Sequence, residues 1–195
     1  NTKQRQLVAA DLAQPVELKT ITHNPAPTFG AGFAPFFLSL ALFIGTMIIW
    51  MLIKPLQTRA VIGGIGGLRS VLASYWPAFL IAAAQVIVTF LVVHFFVGLD
   101  AVHPLGMFAF MLLIGSTFLA VIQMLNIVLG VAVGRVASLA FLMLQIVASG
   151  GIYPVPTTAK PAQILHPVDP MSYTVTGMRQ LIAGGVDDRL WISTG

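Results

Sequence analysis

Four long runs almost free of charge, Phe33 to Ile53, Val71 to Leu99, Leu105 to Leu129 and Val136 to Ile152, restrict what this chain can fold into. A helix needs about 20 mostly apolar residues to cross the hydrocarbon core of a bilayer. Backbone amides there have no water to bond, so a run of this length closes its hydrogen bonds internally as a helix. The runs predict spans over about 33–53, 71–98, 105–129 and 136–152, within a membrane region 31–153. Charged residues make up only 8% of the chain, against about 25% in soluble proteins. The fold class is all-α integral membrane.

The stretch from Ala148 to Gly185 breaks the pattern, with prolines at 154, 156, 161, 167 and 170. Each interior proline removes a helical hydrogen bond, so only short helices fit between them. Residues 154–185 therefore read as a re-entrant or interfacial helical hairpin dipping into the outer membrane surface. Its second limb has a start signal: Asp169 can cap while Pro170 takes the first helical position. Met171, Val175, Met178, Leu181 and Ile182 share one face, and Ser172, Thr176, Arg179 and Gln180 the other. That pattern predicts a helix lying in the interface. Arg179 should reach the surface, Asp169 or a lipid head group.

Residues 1–30 are the clearly polar part, and the chain starts at Asn1 without an initiator methionine or a signal sequence. They read as the end of an extracytoplasmic domain and a lead-in, so the chain is expected to be part of a longer polypeptide. Leu190, Trp191 and Ile192 suggest that 186–195 begins a final transmembrane helix. Orientation follows from basic residues in short connections, which stay cytoplasmic. Lys54, Arg59, Arg69 and Arg135 put the first and third connections inside, as candidate contacts for a cytoplasmic partner. The amino-terminal segment and the hairpin then lie outside.

Lipid tails are as apolar as leucine, so small and polar residues must draw helices together. Gly130, Gly134 and Ser138 form a small-residue face. Gln85 and Thr89 make a polar pair in the second run, Ser116, Gln123 and Asn126 a stripe in the third, and Ser138, Gln145 and Ser149 another in the fourth. These stripes have two readings, helix interface or substrate-path lining. Near-absence of intramembrane charge argues against an ion-coupled carrier.

No catalytic, cofactor or metal site is expected. The chain has no cysteine, its histidines lie apart at 23, 94, 103 and 166, and no phosphate-binding loop of the GxxxxGK[ST] form occurs. The formal net charge of +4 comes from dispersed basic residues, which fits membrane topology and not nucleic acid binding.

The segment NPAPTFGAGFAPFFLSLALFIGTMIIW, from Asn24 to Trp50, resembles the entry into the membrane region of the YhgE/Pip (phage infection protein) family. ASGGIYPVPTTAKPAQILHPVDPMSYTVTGMRQLIAGG resembles the matching end and the proline-bounded outer hairpin of ABC type-2 permeases. The resemblance implies an ABC type-2 permease-like helical bundle in a bacterial plasma membrane, with a large outer domain inserted between its first and second helices. It implies a role in envelope export or secretion, with a homodimer, a separate cytoplasmic ATPase or secretion components, and membrane lipids as partners. The alternative is a non-transporting anchor or scaffold for an outer domain that serves as a phage receptor or secretion component.

Overall fold

The computed structural model of the chain describes residues 29–56, 63–64, 66–151 and 160–184, all in helices and their connections, with no strand among them. Helix α1 runs Phe29–Leu52. Helix α2, Gly67–Leu91, continues into a π-helical turn, Val92–Phe96. Helices α3, Pro104–Val128, and α4, Val131–Ala148, follow. A short α5, Lys160–Leu165, passes through a 3-10 turn, His166–Val168, into α6, Pro170–Ala183. Within these elements Gly32–Leu52, Gly67–Phe96, Pro104–Val128 and Val131–Ala148 are long and apolar enough to cross a membrane.

Three starts differ from the sequence reading, α1 beginning at Phe29 and not at 33. Helix α2 begins at Gly67 and not at 71, and α4 at Val131 and not at 136. Arg69 and Arg135 are therefore in the opening turns of helices and not in connections. The physical reason is glycine: Gly66 and Gly130 occupy the N-cap positions, Gly130 with φ +80. That conformation costs little without a Cβ, and long basic side chains tolerate a helix end because their heads reach water.

Helices α1 and α3 form the centre, each packing on the other and on α2, α4 or α6. Phe43, Met111, Phe118, Leu119 and Trp50 lie between them, fully or almost fully buried. Phe43 and Phe118 meet edge to face at 5.1 Å, the arrangement favoured by ring quadrupoles. Helix α2 exposes most of its surface to the surroundings, and buries a narrow stripe of Ser70, Ser74, Ala78, Ala82 and Val86. Small residues at four-residue spacing let the helix backbones approach closely.

Helix α6 departs from the interfacial reading. Its apolar face, Met171, Val175, Met178, Leu181 and Ile182, is buried, and the helix packs on α1, α3 and α4. Backbone bonds join it to the bundle, with the amides of Val102 and His103 donating to the carbonyls of Ile182 and Leu181 at 3.2 and 3.1 Å. Protein, and not lipid, covers the apolar stripe, because three helices converge where it lies. Residues 152–159, which include the first part of the predicted hairpin 154–185, the segment 1–28 and the expected final helix at 186–195 fall outside the described residues.

Candidate functional site: the basic end and polar seams of the bundle

The contacts define two ends. One gathers the end of α1, the start of α2, the end of α3 and the start of α4; the other gathers the π turn, the start of α3, the end of α4 and α6. Lys54, Arg69 and Arg135 are all at the first end. Lys54 and Arg69 are exposed and Arg135 is half-buried. Arg59 lies outside the described residues.

Gln123, in α3, organises the basic end. It is 3% exposed, and its amide nitrogen donates to the carbonyls of Pro55 at 2.9 Å and Val71 at 3.1 Å. One side chain thus binds both sides of the α1–α2 connection to α3, which satisfies polar groups that lipid could not. One turn on, the buried Asn126 donates from its amide nitrogen to the Ile122 carbonyl at 2.7 Å. Its Oδ1 accepts no hydrogen bond among the described residues. Arg135 donates from its guanidinium to the Met51 carbonyl at 3.4 Å, while its buried Nε has no acceptor among the described residues. Between these groups is a cavity of about 590 Å³.

The other seam residues are distributed differently. Gln85 donates across to the Ala41 carbonyl of α1 at 3.1 Å; a Cβ on Gly45 would fall 1.9 Å from its amide nitrogen, so glycine makes the room. Thr89 is half-buried one turn further along α2. Ser116 bonds within its own helix to Leu113, and its carbonyl accepts from the Tyr75 hydroxyl at 3.0 Å. Ser138 donates to the Gly134 carbonyl at 2.8 Å. Gln145 is 1% exposed, and neither amide atom finds a partner among the described residues.

The sequence reading did not single out the indole of Trp50, which donates to the Leu119 carbonyl at 2.8 Å, or Tyr75. Both sit in apolar runs where an aromatic residue reads as packing. A polar tip on an otherwise apolar ring was the available signal.

At the opposite end Asp169 caps α6, its carboxylate accepting from the amides of Met171 at 3.4 Å and Ser172 at 3.1 Å. Pro170 follows at the first helical position. Arg179 is at the other end of the same helix, exposed, and donates to the Gly151 carbonyl at 3.2 Å. The expected alternative of an Asp169–Arg179 pair is not formed, since the helix length separates them. Helix α6 ends at Gly184, with φ +79. Among the described residues no three acidic or histidine side chains gather as a metal cluster would need.

A family description, "ABC-2 family transporter protein", matches residues 1–195. The chain belongs to the ABC-2 family of transporter proteins. It is also similar to the "Uncharacterized protein YhgE" of Bacillus subtilis (strain 168), with 27% identity over 187 residues, or 94% of this chain. The chain spans 23% of the length of that relative. No solved structure matches it. With the four apolar helices, these findings make it a multi-pass, all-α membrane protein, a YhgE-like region of ABC-2 permease type.

Burial pushes the Asp169 carboxyl up from 3.8 to about 6, against the pull of the Met171 and Ser172 amides and of His166. The folded state then holds the proton up to about pH 6, while the unfolded chain releases it near 3.8. Where the folded state binds more protons, stability falls as pH rises, here between about 4 and 6. Asp169→Asn keeps a capping oxygen and removes the titration. It should melt progressively higher than the parent as pH rises through that window, by about 1–2 kcal/mol above it once solvent screening is allowed for. Melting curves in detergent from pH 4 to 7.5 test this; parallel curves for the two proteins would exclude it.

Proposed function

We propose that the chain belongs to the membrane-spanning unit of a bacterial envelope exporter. Two copies pair, the outer hairpins frame an exit, and a separate cytoplasmic ATPase docks at the basic end. The observation that carries this reading is the polarity of the bundle. Lys54, Arg69 and Arg135 gather at one end and the packed α5–α6 segment occupies the other. Basic residues mark the cytoplasmic side, so the amino-terminal segment and hairpin face outward. Arg69, exposed in the first turn of α2, and Arg59 in the preceding connection are the docking residues. Arg59→Glu with Arg69→Glu should abolish co-purification of the ATPase and stop export while leaving insertion intact. Unchanged ATPase association and export would end this reading.

A second reading, a non-transporting anchor for a large outer domain that serves as a phage receptor or secretion component, is favoured by a different observation. Gln85 and Gln123 use their amide nitrogens on backbone carbonyls, which makes them helix fasteners instead of path lining. Transport of a substrate by the membrane unit without the outer domain would rule the anchor out.

A further inference from the structure

We propose that the cavity at the basic end binds the head group of an anionic phospholipid that carries hydroxyl donors beside its phosphate, of the phosphatidylglycerol type. Three features specify that chemistry. Lys54 and Arg135 both line the cavity, and no acidic residue does among the described residues. The amino terminus of α4 opens onto it at Gly130 and Val131, with no side chain capping the helix. Uncapped helix amides and two cations together favour a phosphate.

The third feature is independent of the first two. Asn126 lines the same cavity, is 3% exposed, and has an Oδ1 that accepts nothing among the described residues. A buried acceptor left unpaired is costly, and a bare phosphate oxygen would repel it. A hydroxyl on the same head group would donate to it once the side chain turns its Oδ1, closed off from the cavity here, toward the ligand. The remaining wall is apolar, with Leu52, Ile53 and Ile127, a surface for the glycerol backbone and the first methylenes of an acyl chain. The volume, about 590 Å³, is in the range of ligand sites of about 300–1,000 Å³. It opens where α1 ends and α4 begins, at the depth of head groups for helices that span the bilayer. Basic clefts in this position bind lipid head groups.

The inference rests on the helices crossing a membrane, and not on export. It assigns Lys54 and Arg135 to lipid, and leaves Arg59 and Arg69 to the ATPase, so the two ideas fail in different experiments. The test uses the full-length protein, delipidated in an uncharged detergent and titrated with phosphatidylglycerol, phosphatidate, phosphatidylcholine and soluble glycerol phosphate. Native mass spectrometry counts bound lipid, and thermal shift gives affinity.

Phosphatidylglycerol should bind more tightly than phosphatidate and far more tightly than phosphatidylcholine. Lys54→Gln and Arg135→Gln should each weaken it about fivefold, while Arg69→Gln leaves it unchanged. Asn126→Leu should remove the preference for phosphatidylglycerol over phosphatidate. Equal binding of phosphatidylglycerol and phosphatidylcholine would overturn the proposal, as would unchanged affinity in Lys54→Gln, an exposed position whose substitution leaves the fold intact. Binding of glycerol phosphate as tightly as the lipid would also overturn it, in favour of a soluble phosphate compound.

Discussion

Replacing Trp50 with alanine is expected to destabilise the bundle by about 3–5 kcal/mol, the range for removing a large aromatic side chain from a packed core. The side chain is 1% exposed and belongs to the main cluster, which also contains Phe43, Phe118 and Leu119. Its indole N–H donates to the Leu119 carbonyl at 2.8 Å, so alanine removes both the volume and the bond that fastens α1 to α3. Trp50→Phe separates these effects. Phenylalanine keeps most of the packing and should cost about 1–3 kcal/mol, from the lost bond and the smaller ring. Circular dichroism melts in detergent would show the alanine variant lowered by roughly 10 °C. If the alanine and phenylalanine variants both melted with the parent, α1 and α3 would not be held together at Trp50.

Gly134→Leu should have an effect at least as large, for the opposite reason. A Cβ at 134 would lie 2.6 Å from Asn126 Cα and 2.9 Å from the Leu125 carbonyl oxygen. These are backbone atoms, so no rotamer change relieves the clash and α3 must move from α4. Even Gly134→Ala should cost about 1–3 kcal/mol, the usual penalty of overpacking. Leucine should prevent the two helices from docking, and displace Arg135 from the Met51 carbonyl that it reaches at 3.4 Å. Gly67→Ala is the control, because a Cβ there meets nothing within 4 Å; it should change stability by less than about 0.5 kcal/mol. Crosslinking between cysteines at Leu125 and Ala137 reports the α3–α4 separation directly. Unaltered crosslinking in Gly134→Leu would show that the approach is looser than the backbone distances require.

Both results depend on how apolar helices associate without a strong hydrophobic drive. In lipid, close packing and hydrogen bonding do that work. The fold accordingly places its close approaches at glycines, with Gly134 against α3, Gly45 against Gln85 and Gly151 against Phe36. Side chains embedded in apolar runs, Trp50, Tyr75, Gln85 and Gln123, make cross-helix polar bonds, and Arg135 adds one at the basic end. The basic end is fastened by one of these, and the cavity beside it is left with polar groups to offer a ligand.

Sequence alone determined the class of this protein. Runs free of charge and long enough to cross a bilayer have one stable form, so the helices and the proline-rich interruption after α4 could be read without coordinates. The resemblance carried by Asn24 to Trp50 and by the stretch after Ala148 pointed to the family that the comparisons show. Local signals also identified a cap at Asp169, because its carboxylate bonds only amides two and three residues on. What covers α6 was decided by tertiary structure. An apolar stripe is equally compatible with lipid and with protein, and only the convergence of α1, α3 and α4 selects protein. The same holds for the polar seams. Gln123 and Gln145 have the same side chain, but one bonds the carbonyls of Pro55 and Val71 while the other is buried without a partner among the described residues. Periodicity places a residue on a face; the bond it makes depends on which distant backbone atom the packing brings within about 3 Å.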